Sequence, residues 1–214
     1  MQSSDALILQ LSDGLAPVRR RRMLREAAFL LVLGTTEFAL LLGLRLMRPD
    51  MGQMITSPYM LWKLGSLAML AGIACTVAVR SFSPTARPRR GLIVACAFAA
   101  AAMISGMFVT PSSESGHALL NRLSPAHGAL CMLSIIVLSI PMMAMLAILM
   151  RNAAPTQPGM SAVAAGVSAS TCAALIFAFC CPINDPLYVI VWYSAGCAVV
   201  VAAARWLLPR CFYL

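Results

Sequence analysis

Six apolar runs of about twenty residues dominate this chain, and a run of that length matches the roughly 30 Å hydrocarbon core of a bilayer. They fall at Ala27–Met47, Pro58–Val79, Gly91–Thr110, Gly128–Met150, Met160–Cys181 and Leu187–Leu208. What remains is an N-terminal tail, five short connections and a few C-terminal residues, too little for a core of its own outside the membrane. With 61% hydrophobic and 11% charged residues and a mean hydropathy of +0.86, the chain lies outside the composition of soluble domains. The expected fold class is an all-α membrane protein with six transmembrane helices. Residues 1–26 form a tail, 27–208 the membrane domain and 209–214 a short C-terminal tail.

Positive charge sets the expected orientation, because short cytoplasmic segments retain Lys and Arg. Arg19, Arg20, Arg21, Arg22, Arg25, Arg80, Arg87, Arg89, Arg90, Arg151, Arg205 and Arg210 share one side; Arg45, Arg48 and Arg122 occupy the other. Both termini are therefore expected in the cytoplasm. The net charge of +9 is accounted for by this asymmetry and by anionic lipid headgroups. No aromatic residues interleave with the arginines, so no direct nucleic-acid surface is expected. The basic stretch "RRRRMLREAAFLLVLG" resembles a secretory signal, but its apolar run is long, contains Glu37 and lacks a small-x-small cleavage site. It reads as a retained first span.

The tail "SSDALILQLSDGLAPV" opens with capping residues and places Leu7, Ile8, Leu11 and Leu15 on one side of a short helix that ends at Gly14–Pro17. About ten residues are too few for a stable isolated helix, so it needs a surface to lie on. Its only charges, Asp5 and Asp13, suit an anionic bilayer poorly and a protein groove better. Partner binding and lying on the membrane surface both remain open.

Three of the eight cysteines, Cys131, Cys180 and Cys181, fall near the outer membrane face. The other five, Cys75, Cys96, Cys172, Cys197 and Cys211, lie deeper or toward the cytoplasm, where cysteine usually behaves as a small hydrophobe. Three readings of the outer thiols stay open: ordinary buried cysteines, a redox or thiol-sensing pair, and a soft-metal site assisted by His117, His127, Asp50, Glu114 or Asp185. No C-x-x-C or H-E-x-x-H motif selects among them.

Within the spans, Glu37 and Lys63 are ionisable and therefore costly. A bridge between them would pin the first two helices; alternatively Lys63 snorkels toward Asp50. The small residues of "ACAFAAAAMISG", "SAVAAGVSAS" and "SAGCAVVVAAA" permit close helix approach, and Pro141 is expected to kink the fourth span. With two histidines and seven acidic residues, no grouping for nucleophilic catalysis is present. Neither enzymatic activity nor a cofactor is expected.

The chain resembles the NrsF-like family of six-span integral-membrane anti-sigma factors along almost its whole length. The matching features, in order, are the tail "SDALILQLSDGLAPVRR", "RPD" at Arg48–Asp50, "WK" at Trp62–Lys63, Cys131 with Pro141 downstream, "RNAAPTQP" in the fourth loop and "CPINDPLYVIVWY" from Cys181 to Tyr193. The last block and its distance from Cys131 are the most specific. The resemblance implies a protein of the bacterial inner membrane that holds an extracytoplasmic-function sigma factor through Asp5, Leu7, Ile8, Leu11 and Leu15. It would release that factor when Cys131 and Cys181 sense oxidative or heavy-metal stress. Cys180, beside the expected cysteine, leaves open which neighbour pairs with Cys131. A second reading, from the residues alone, is a membrane thiol-disulfide oxidoreductase passing electrons between periplasmic cysteines and quinone. A small transporter would need more than the two isolated charges, Glu37 and Lys63.

Overall fold

A computed structural model describes residues 23–48, 51–83, 88–108, 125–153 and 157–210. Seven helices occur among them: α1 (Met23–Gly43), α2 (Met51–Met54), α3 (Pro58–Ser81), α4 (Pro88–Phe108), α5 (Pro125–Arg151), α6 (Pro158–Ala178) and α7 (Pro186–Arg210). All but the short α2 are long and apolar enough to cross a membrane. The tail residues Asp5, Leu7, Ile8, Leu11 and Leu15 lie outside the described residues, as do Asp50, Glu114 and His117.

Five of the six long helices begin on a proline. Proline suits the first helical position because its fixed φ is helical and its missing N–H would have no intrahelical acceptor there. This explains why α4 to α7 start one to three residues earlier than the apolar runs suggest. At α3 the arrangement is completed by Ser57, whose Oγ accepts from Met60 N at 3.3 Å. The first span ends at Gly43 rather than Met47. Arg45 adopts a left-handed φ of 55°, and Leu46 N donates to Leu41 O at 3.2 Å, the six-to-one closure that terminates a helix. Pro141 lies inside α5, which nevertheless continues to Arg151.

Burial is unevenly shared. In α6, 67% of the apolar window is buried, against 11% in α1 and 17% in α4, so α6 is the axis around which α3, α5 and α7 pack. Its sequence explains why: Ser161, Ala162, Ala164, Ala165, Gly166, Ser168 and Ala169 carry little side chain and let neighbouring backbones approach. At Gly166 a Cβ would lie 2.8 Å from Ala204 Cβ and 3.0 Å from Val201 Cα of α7. The small residues of α4 do not have the same outcome, since most of that helix faces outward. Large apolar side chains such as Leu31, Ile104 and Trp206 are exposed, as expected where lipid is the solvent.

Contacts tie matching ends of the bundle. Ser161 Oγ, early in α6, donates to Ser81 O at the end of α3 at 3.1 Å. Trp62 Nε1, early in α3, donates to Ala102 O and Ser105 Oγ late in α4 at 3.2 and 3.0 Å. The arginines at 25, 80, 89, 90, 151, 205 and 210 consequently gather at one end, and the α6–α7 connection lies at the other.

Candidate functional site: a thiol cluster at one end of the bundle

The α6–α7 connection is short and well defined. After Ala178 the chain closes with Cys180 N and Cys181 N both donating to Phe177 O, at 2.9 and 3.0 Å. Pro182 then forbids helix continuation and biases Cys181 toward extended backbone. Asp185 restarts the helix, accepting from Leu187 N through Oδ1 at 3.0 Å, with Pro186 as the first helical residue. The span therefore ends three residues before Cys181, which places both adjacent cysteines in the connection.

Arg48, beyond the end of α1, clasps that connection. Its Nη1 donates to Asn184 Oδ1 at 2.8 Å and its backbone N to Phe179 O at 3.4 Å. Phe38 of α1 packs edge-on against Phe179 with centroids 5.0 Å apart. Arg48 from "RPD" and Asn184 from "CPINDPLYVIVWY" are thus partners, although 136 positions separate them.

Inside this clasp, Cys131, Cys181 and Tyr188 form a buried cluster flanked by Phe177, Ile183 and Trp192. Cys131 comes from the second turn of α5, and its Sγ lies 3.3 Å from Tyr188 Oη. Cys181 is 1% exposed and Tyr188 1%. The neighbouring Cys180 is only half-buried and lies outside the cluster. The geometry therefore brings Cys181, not Cys180, to Cys131. All cysteines among the described residues are free thiols.

The electrostatics separate the two adjacent cysteines. A hydrogen bond from the Cys131 thiol holds the Cys181 thiol well below the ordinary thiol range; burial opposes this, and the Lys63 charge assists it. Burial pushes the Cys180 thiol up. A buried pair in which one thiol donates to the other is prepared for thiolate chemistry: nucleophilic attack, disulfide formation or capture of a soft metal ion. Among the described residues no group of three or more Cys, His, Asp or Glu side chains could hold a metal.

Lys63 does not meet Glu37 as the sequence suggested. Neither Glu37 carboxylate oxygen nor Lys63 Nζ has a hydrogen-bond partner among the described residues. Lys63 is 1% exposed and sits instead over the Tyr193 ring, 5.5 Å from its centroid, close enough to the thiols for its charge to act on both.

The deep cysteines also need correction. Cys75 of α3 and Cys172 of α6 meet at an Sγ–Sγ distance of 3.5 Å, and Cys75 Sγ lies 3.1 Å from Ser168 Oγ. Reading each as an isolated small hydrophobe missed this second pair. The available signal was on α6, where Ser168 and Cys172 are four residues apart and share a face. Tyr188 and Asn184 were also unassigned, although both lie within the most specific sequence block.

A sequence profile of the family described as negative regulator of sigma F matches residues 11–213. The anti-sigma-F factor NrsF of Caulobacter vibrioides (strain NA1000 / CB15N) is 31% identical over 209 residues, covering 95% of this chain and 96% of that protein. No solved structure matches the chain. The family's role is regulatory, which sets aside the oxidoreductase alternative. This chain belongs to the NrsF family of negative regulators of sigma F; it is an anti-sigma factor built on six helices fit to cross a membrane, and not an enzyme.

Proposed function

We propose that this protein holds an extracytoplasmic-function sigma factor at the bacterial inner membrane and releases it when the Cys131–Cys181 dithiol is modified from the periplasmic side. The observation that carries the reading is the buried contact of Cys131 with Cys181, one on α5 and the other just beyond α6, the central helix. Oxidation would join the two sulfurs and pass two electrons and two protons to an oxidant. A soft heavy-metal ion would instead displace the two protons and bridge the sulfurs. Either event changes the spacing between α5 and the end of α6, and α6 packs on three other spans.

A ligand shifts a conformational equilibrium only by binding its two states unequally. The modified dithiol supplies that inequality at one end of the bundle. The other end carries the clustered arginines and the start of α1, which the tail precedes in the chain, and the charge asymmetry supports a cytoplasmic side for it. The tail's apolar residues Leu7, Ile8, Leu11 and Leu15, with Asp5, are the proposed sigma-binding element, and the arginine-rich α3–α4 connection is a second contact. Sequestration would keep the sigma factor from RNA polymerase; release would start a stress response.

The test is co-purification of soluble proteins with the intact chain and with a version lacking residues 1–16. A sigma factor recovered only with the intact chain is expected. Equal recovery with the truncated chain would remove the tail from the mechanism, and recovery with neither would remove sequestration at the membrane.

A further inference from the structure

Cys75 of α3 and Cys172 of α6 take no part in the mechanism above. Their sulfurs are 3.5 Å apart, and Ser168 Oγ lies 3.1 Å from Cys75 Sγ. Cys75 stands six residues before the end of α3 at Ser81, and Cys172 six before the end of α6 at Ala178. At 1.5 Å per residue each is about 9 Å of helix axis inside its own span. Both residues are half-buried, whereas Cys131 and Cys181 are buried, which leaves surface for a lipid-soluble reagent to reach.

Little has to move for these sulfurs to bond. A disulfide brings them to about 2.05 Å, and the helices are already held in register. Ser161 Oγ of α6 donates to Ser81 O of α3 at 3.1 Å. Further along the same antiparallel contact, Cys75 meets Ser168 and Cys172. Between them Ala74 and Ala78 of α3 and Ala165 and Ala169 of α6 are buried, and such small side chains keep the two backbones close. Two reactants held in contact react without the cost of a bimolecular encounter.

The surroundings select the oxidant. Charge is costly within the hydrocarbon, so the step that suits this place takes up both electrons and both protons and leaves no ion behind. A hydroperoxide does so, and an organic one partitions into lipid.

We propose that Cys75 and Cys172 are a disulfide-forming site for lipid-borne organic hydroperoxides, and that the bond fastens α3 to α6. One sulfur attacks the terminal peroxide oxygen; the O–O bond breaks, the sulfur becomes a sulfenic acid and the remainder leaves as an alcohol. The second sulfur then attacks the first, the S–S bond forms and water leaves. The two thiols together lose two electrons and two protons, and the hydroperoxide gains them. Neither Cys131 nor Cys181 is involved, so the proposal goes beyond the sigma-release reading and does not rest on it.

The test treats the full chain in nanodiscs with cumene hydroperoxide, alkylates the remaining thiols in denaturant and maps disulfides by mass spectrometry of a non-reduced digest. A dithiothreitol-sensitive link between the peptides carrying Cys75 and Cys172 is expected, in the natural chain and in Cys181→Ser alike. That second arm separates failure here from failure of the sensing reading. Cys75→Ser should remove the link and leave Cys172 open to alkylation. Hydrogen peroxide at the same concentration should form the link several-fold more slowly. Absence of the link in both the natural chain and Cys181→Ser would overturn the site, and equal rates with the two peroxides would overturn the lipid-borne oxidant.

Discussion

Two pairs of cysteines meet in this bundle, and their surroundings differ. Cys131 and Cys181 are buried at one end of the helices beside Tyr188 and within reach of the Lys63 charge. Cys75 and Cys172 meet within the spans, on α3 and α6, 3.5 Å apart, with Ser168 as polar neighbour. A cation beside a thiol favours its ionised and reactive form. On the proposed thiol-sensing reading, the charge around the sulfurs, and not their proximity alone, distinguishes the two pairs.

The sharpest way to break this comparison is substitution of each cysteine in turn. Cys131→Ser or Cys181→Ser should abolish induction of a sigma-dependent reporter by a thiol oxidant or cadmium. Cys75→Ser, Cys172→Ser and Cys180→Ser should leave it essentially intact. Equal loss with Cys75→Ser would mean that the mid-bundle pair takes part.

A smaller effect probes the helix that serves both pairs. Gly166→Ala puts a methyl 2.8 Å from Ala204 Cβ and against the Val201 backbone. It should cost about 1–3 kcal/mol by overpacking. Gly72→Ala, with open space around its Cβ, should change little. Thermal unfolding in detergent compares the two, and matching melting temperatures would deny the close α6–α7 approach.

Alkylation against pH tests the electrostatic half of the comparison. Cys181 should react at a lower pH than an ordinary thiol, and Cys180 at a higher one. Removing a positive charge disfavours a nearby thiolate, so Lys63→Met should move the Cys181 midpoint upward by about one pH unit. An unmoved midpoint would leave Lys63 without a role at the thiols.

The smallest expected change comes from Arg48→Ala, which removes the hydrogen bond to Asn184 and loosens the α6–α7 connection by about 1 kcal/mol. Amide exchange over residues 179–185 should accelerate several-fold, while exchange around Cys75 stays as it was. A connection that exchanges no faster would show that Pro182 and the Phe177 carbonyl contacts suffice to hold it.

Much of this architecture can be read along the chain because lipid imposes a simple rule. Each spanning segment must satisfy its own backbone, so length and apolarity reveal the six long helices. Their ends were less legible. Proline at the first helical position extends α4 to α7 outward, and the left-handed Arg45 ends α1 earlier than its apolar run. The thiol site was half legible: Cys131 and the block from Cys181 to Tyr193 stand out as residues, but not as neighbours. Glu37 and Lys63 show the converse case, since two ionisable groups within the spans invite pairing on paper, whereas the packing sets Lys63 over the Tyr193 ring.

The amino-acid order by itself determined the membrane class, the number of spans, the segregation of arginines to alternate connections and the family. All of these follow from local composition or from motifs contiguous in the chain. Only the tertiary structure decided that α6 is the central helix, that Cys181 rather than Cys180 meets Cys131, that Arg48 clasps Asn184 and that Cys75 finds Cys172. The physical reason is that which face of a helix meets which neighbour depends on the packing of all the helices together. In lipid, where apolar side chains are welcome on every side, hydrophobic pattern alone does not mark the inward face.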